Sequence, residues 1–344
     1  MKFGIFDQND DSGRPLHLQY EQRLELTEMY DQGGFHCYHL SEHHATPLSM
    51  GPSQSVFLSA VAQRTSRIKL CPLVYLLPIH HPVQLAEEIC MLDQLAPGRF
   101  QFGVGRGANP HELEALGIDS ASAGEAYAEA YEILMKYFSS DVLNYPGKFW
   151  NIQNMPVTMK PFQLPHPPVW YAAASADSAV WPAQNQVNII CGGPESKVGG
   201  ISDRYRQEAA ASQGAGAGSE EALIGIYRNV VVADTDEEAM AIAESAWPSF
   251  YESFYKLWRV HGTEPQRVKL SPSYADMVAS GHAVAGSPQT VARVLSQKAQ
   301  DGRLNYLVGQ FMFGNLPHED AKRSVELFSR EVMPRIEETS KAWN

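Results

Sequence analysis

The stretch HPVQLAEEICMLDQLAPGRFQFGVGRG, residues 81–107, reads as a helix, a break, a strand and a glycine-rich strand end in direct succession. Pro82 suits the first turn of a helix, where its missing N–H is not needed. Leu85, Ile89 and Leu92 then recur at spacings of four and three, the period of a helix with one buried face. Pro97-Gly98 breaks that pattern, and Arg99-Phe100-Gln101-Phe102-Gly103-Val104 follows as a short strand running into Gly105-Arg106-Gly107. A helix followed directly by a buried strand is the repeating unit of a parallel sheet.

The same alternation extends in both directions. Upstream, Phe3 to Phe6 reads as the first strand, a helix from about Gln19 stops at Gly33-Gly34, and Cys37 to Leu40 is the second strand. Pro52-Ser53 caps a helix carrying Phe57, Ala60 and Val61, and Ile68 to Leu77 is the third strand. Downstream, Asn109-Pro110 opens a short helix and Ala123 to Phe138 a longer one. Residues 139–167 lose the pattern; with Tyr145-Pro146-Gly147-Lys148 as a turn signal, they form an insertion that fits a hairpin. Pro168 to Ala173, Val187 to Cys191, Ile224 to Val232 and Leu304 to Val308 complete eight strands. Thr235 to Glu238 is a capping box for a long helix reaching Trp258, Ser287-Pro288 caps another, and Pro317 to Ile336 is the closing helix.

Two stretches break the rhythm. The run Gly214 to Gly218 precedes a strand and does not open a helix, so it reads as a flexible connection and not a phosphate loop. Residues 259–286 show no evident element, which marks either a functional lid or elements whose signal is weak; the lid, a mobile active-site loop, is the expectation taken. The fold class that follows is α/β: a single (β/α)8 TIM barrel over residues 1–344, with insertions after strands 4 and 7.

Charge and composition exclude several functions. Lys and Arg total 27 against 39 Asp and Glu, a net charge of -12, and no basic run is present to neutralise a nucleic-acid backbone. The apolar part of the N-terminus is too short for a signal peptide and no stretch is long and apolar enough to span a bilayer, so a soluble cytoplasmic protein is expected. Cys37, Cys71, Cys90 and Cys191 lack CxxC spacing and are expected to be reduced and buried.

In such barrels the active site lies at the C-terminal strand ends. That places His43 and His44 after strand two, Leu73 to Tyr75 near the end of strand three, Arg106 after strand four, and Ala174-Ser175 after strand five in one pocket. Adjacent histidines on extended backbone point in opposite directions, so one of the pair faces the pocket. His80, Tyr75 and Leu77 are expected to line it as well, giving an apolar or aromatic character. Arg106 beside glycines, opposite a serine at a helix start, suits a phosphate. Each also has a plain structural reading: Arg106 as a salt-bridging residue, Ser175 as a helix cap, His43 as an ordinary hydrogen-bonded histidine. His36, His39, His43 and His44 form a cluster, but the strand spacing holds His39 and His43 too far apart for one metal ion.

Taken together, MKFGIF at the start, LSEHHA after strand two, residues 81–107, and AAASADS after strand five resemble the bacterial luciferase-like, flavin-dependent monooxygenase family over essentially the full chain. The resemblance implies an oxidoreductase that takes reduced FMN from a separate flavin reductase, and dioxygen as co-substrate. Through a flavin hydroperoxide, it would insert one oxygen atom into a small organic substrate. It also implies His43 as catalytic and Leu73, Val74, Tyr75, Arg106, Ala174 and Ser175 as cofactor-binding, with a non-prolyl cis bond at Leu73–Val74 and no metal. Ala174 stands where the luciferase pattern has an acidic residue that binds through its backbone amide, which alanine retains; the difference points away from light emission. Homodimerisation through the early barrel helices is a further expectation. The alternatives are a deazaflavin-dependent oxidoreductase of the same superfamily, a non-catalytic flavin-binding paralogue, and a metal-dependent barrel hydrolase.

Overall fold

A computed structural model describes residues 1–193, 195–212, 221–266 and 268–343. Short apolar runs form strands and the amphipathic runs between them form helices. The strands are β1 (Lys2–Asp7), β2 (Cys37–Leu40), β3 (Lys69–Pro72), β4 (Tyr75–Leu76), β5 (Phe102–Gly105), β6 (Val142–Pro146), β7 (Asn151–Pro156), β8 (Val169–Ala173), β9 (Asn188–Cys191), β10 (Ile224–Val232), β11 (Ala283–Gly286) and β12 (Tyr306–Gln310).

The main sheet runs β3-β2-β1-β12-β10-β9-β8-β5-β4, and its pairings are parallel. β3 and β4 are halves of one strand separated by the Leu73–Val74 peptide bond, which is cis. The two ends of the ladder are therefore the same piece of chain, and the sheet closes on itself; a bridge between Leu70 and Phe100 ties β3 to the approach of β5. Counting β3 and β4 as one, and setting aside β11 as a side strand on β10, eight parallel strands form the wall of a (β/α)8 barrel.

Alternation along the strands sends His39, Trp170 and Tyr306 into the barrel interior, where their rings pack edge-on or tilted against one another. Trp170 Nε1 donates to Gln101 Oε1 at 2.6 Å, and His39 Nε2 lies 2.8 Å from the Tyr306 hydroxyl. The polar atoms of this aromatic plug are thus partnered, which removes most of the penalty of burying them. Gly4 makes room for it, because a Cβ there would overlap the Tyr306 hydroxyl. All four cysteines are buried free thiols, as their spacing predicts.

The structure differs from the sequence expectation in two places. The third strand, expected as one run from Ile68 to Leu77, is broken at Leu73–Val74, where the structure has the cis bond that the resemblance implied. Residues 259–286 are not without elements: a helix spans Tyr274–Ala279 and β11 spans Ala283–Gly286. Ser273 caps that helix, its side chain accepting from the Asp276 amide, a signal that was readable in the sequence; β11 is made of Ala, Val and Gly and is too short and small to stand out. The loop is thereby reduced to the stretch before Ser273. Within the insertion, β6 and β7 pair antiparallel as a hairpin beside the barrel. The glycine run 214–218 lies outside the described residues.

Candidate active site

The C-terminal strand ends open into a cavity of about 1150 Å³. His43, Leu73, Val74, Arg106, Ala174 and Ser175 all line it, brought together from four strand ends. Tyr75 does not. It is 1% exposed, with its hydroxyl 2.8 Å from Ser55 Oγ on the helix Gln54–Arg64. Neighbouring side chains alternate along β4, so Leu76 takes the inward place, and Leu77 and His80 are likewise absent from the lining.

Glycines in β5 accommodate the break between β3 and β4. A Cβ on Gly105 would overlap Val74 Cγ2, and one on Gly103 would come within 2.8 Å of the Pro72 carbonyl oxygen. The GVGRG sequence is therefore a packing requirement as well as a turn into Arg106.

The adjacent histidines diverge as extended backbone requires. His43 Nδ1 lies 3.0 Å from Glu112 Oε1, and His44 Nε2 lies 3.1 Å from Glu42 Oε1. Glu42 is fully enclosed: Oε1 also meets His80 Nε2 at 2.8 Å, and Oε2 accepts from the Leu76 amide at 2.6 Å. Burial pushes the Glu42 carboxyl up, but the contacts with His44, His80 and Leu76 outweigh it and hold the group below its ordinary value. Burial pulls His80 down, and its contact with Glu42 more than reverses this, leaving it raised. Gln54 Nε2 donates to the carbonyls of Leu40 and Val74 at 3.1 and 3.2 Å. Two polar clamps thus pin the end of β2 to the broken strand.

Two cations, Arg106 and Lys197, also line the cavity, and neither has a hydrogen-bond or ion-pair partner among the described residues. Ser175 and Ser178 line it from the end of β8, the strand between β5 and β9. Ser178 Oγ accepts from the Ala174 and Ser175 amides, both at 3.0 Å, and donates to the Ser175 carbonyl at 2.7 Å. Lys197, Ser178 and Glu112 are among the site residues that sequence reasoning missed. Glu112 follows the Asn109-Pro110 helix start, which marked its position but not which strand end it faces; Lys197 lies just beyond Gly192-Gly193 at the end of β9.

Phe254 and Trp258 from the helix Asp236–Val260 and residues 263–266 and 268 form a further edge of the lining. His111 fastens this edge. Its Nε2 lies 2.7 Å from Thr263 Oγ1, and its ring stacks on His261 with centroids 4.0 Å apart and meets Trp258 edge-on. Among the described residues no three His, Cys, Asp or Glu side chains gather in a metal-holding group.

A family model described as luciferase-like monooxygenase matches residues 1–304. A Sinorhizobium fredii protein is 38% identical over 336 residues, spanning 98% of this chain and 97% of its own. The oxygenase component of a flavin-dependent trigonelline monooxygenase from Acinetobacter baylyi is 26% identical, with 93% and 91% covered. In fold, the oxygenating constituent of 3,6-diketocamphane monooxygenase from Pseudomonas putida, solved with FMN, superposes with a TM-score of 0.80 at 21% identity, over 97% of this chain and 98% of that one.

Proposed function

Because this chain belongs to the luciferase-like monooxygenase family, we propose that its cavity takes reduced FMN together with a small apolar organic substrate, and that one atom of dioxygen is inserted into that substrate. The observation that carries the reading is the mixed lining of the cavity. The neighbouring strand ends of β5, β8 and β9 supply two cations without protein partners among the described residues and the Ser175 hydroxyl, matched to a phosphate monoester; the lining also includes the apolar Leu73, Val74 and Leu76, matched to a flat ring system. Reduced FMN supplies the electrons that activate dioxygen.

The protein's own residues divide the remaining work. Arg106 and Ser175 hold the phosphate, and the Ala174 amide, which donates to Ser178 Oγ, lies beside them. Leu73 and Val74 support the ring. His43, whose Nε2 has no protein partner among the described residues, moves a proton at the reacting edge. Phe254 and Trp258 exclude water and shape the substrate end, where Thr46 and Leu48 complete the lining. A separate reductase supplies the reduced flavin, a division of labour supported by the relative's description as an oxygenase component. Leu16, Leu18 and Val56, 40%, 48% and 72% exposed on the first two barrel helices, support a homodimer through that face. No helix among the described residues is long and apolar enough to cross a membrane, and we place the protein in the cytoplasm.

The test is oxygen uptake with reductase-supplied FMN over a panel of terpenoid and aromatic compounds, using ¹⁸O₂ to follow the label. Uptake coupled to a singly labelled product is expected. Tight binding of a deazaflavin with no affinity for reduced FMN would sink the reading.

A further inference from the structure

The roles assigned above leave Glu112 unused, although it is 3% exposed and lines the cavity. It sits in the first turn of the helix Pro110–Ala115, whose start is fixed by Asn109, the side chain of which accepts from the His111 amide at 3.0 Å. Its contact with His43 Nδ1 at 3.0 Å is its one hydrogen bond or ion pair among the described residues.

The two buried acids near the histidine pair therefore differ in kind. Glu42 shares its charge among two imidazoles and a backbone amide, and its task is to hold the broken strand. Glu112 is dedicated to a single ring. An ionised carboxylate can only accept, so the bond requires the proton on Nδ1. With that nitrogen committed, the neutral ring presents its lone pair at Nε2, on the opposite side from Glu112.

We propose that Glu112 is the positioning residue for His43, fixing the Nδ1–H tautomer and aiming Nε2 into the cavity. This rests on the assignment of His43 to the proton-handling step, and the experiment separates the two. In ¹⁵N-histidine spectra of the flavin-free protein, with the His43 signals assigned by their loss in His43→Gln, neutral His43 shows Nδ1 protonated and Nε2 bare. In Glu112→Met, which keeps the side chain's length and removes the acceptor, the tautomers mix. In turnover, Glu112→Met lowers kcat at least tenfold with KM and FMN affinity changed less than twofold, and Glu112→Gln lies between it and wild type. The double variant with His43→Gln is no slower than His43→Gln alone, because one residue acts through the other. An unchanged tautomer in Glu112→Met, a kcat within twofold of wild type, or additive losses in the double variant would each overturn the proposal. If Glu112→Met unfolds, the spectra and rates of Glu112→Leu, which also removes the acceptor, carry the same decision. A wild-type protein that shows the fixed tautomer but no FMN-dependent oxygenation refutes the proposed function and leaves the Glu112–His43 pairing standing.

Discussion

Gly105 and Val74 pack so closely that a single added methyl group would overlap: a Cβ on Gly105 would lie 2.3 Å from Val74 Cγ2. Val74 is also a wall of the cavity, so the cost of that methyl falls on the ring-binding surface. Gly105→Ala is expected to fold, since displacing one side chain costs about 1–3 kcal/mol, and to weaken FMN binding at least tenfold. Flavin fluorescence titration checks it; unchanged affinity would show that Val74 does not support the ring.

Arg106 is expected to read the phosphate alone. Arg106→Met should weaken FMN binding by roughly 10- to 100-fold, as losing a charge-assisted contact does, while affinity for riboflavin, which lacks the phosphate, changes little. Lys197→Met should show the same selectivity with a smaller loss. Equal weakening for both flavins would move the phosphate elsewhere.

The Glu42 clamp gives stability a pH signature. Glu42 is held below its ordinary value, so its stabilising contribution is present above the unfolded carboxyl pKa and is lost as pH falls through the depressed value. His80 is raised, so its contribution is present below the ordinary imidazole value and is lost as pH rises through the raised one. Both operate together across the mildly acidic to neutral range. Glu42→Gln is expected to cost roughly 1–3 kcal/mol there, with the penalty shrinking towards acid and, in part, towards alkaline pH. Urea unfolding of both proteins from acid to alkaline pH checks this; a penalty constant across the range would refute it.

The edge fastened by His111 should respond to ligand. Thr263 is held to the rest of the edge through His111 and the Trp258 carbonyl, so hydrogen exchange in residues 263–266 is expected to be faster than in the strands and to slow when flavin and substrate are bound. His111→Phe keeps a ring against His261 but removes the bond to Thr263, and should raise the fraction of oxygen released as hydrogen peroxide. Ligand-independent exchange across that segment would argue against a closing lid.

Periodicity alone placed nearly every barrel element, because a parallel strand buried on both faces and a helix buried on one leave distinct patterns. The sequence also predicted the divergence of His43 and His44, since two neighbours on extended chain have only opposite directions available. It set Arg106, Ala174 and Ser175 at strand ends that line the cavity, because the barrel rule needs only strand order. What local pattern could not supply was the side a residue faces where a strand breaks, and this is why Tyr75 turned outward and Leu76 inward.

The partners of the site are a different matter, and only the tertiary structure decided them. Glu112 lies 69 residues from His43 and meets it because β2 and β5 both end at the same rim. Nothing in the spacing of a carboxylate along one helix records which imidazole from another strand end will lie 3.0 Å away. Residue type and period determine which elements form and in what order; barrel closure determines which side chains share a cavity, because it joins the strand ends through space and not along the chain.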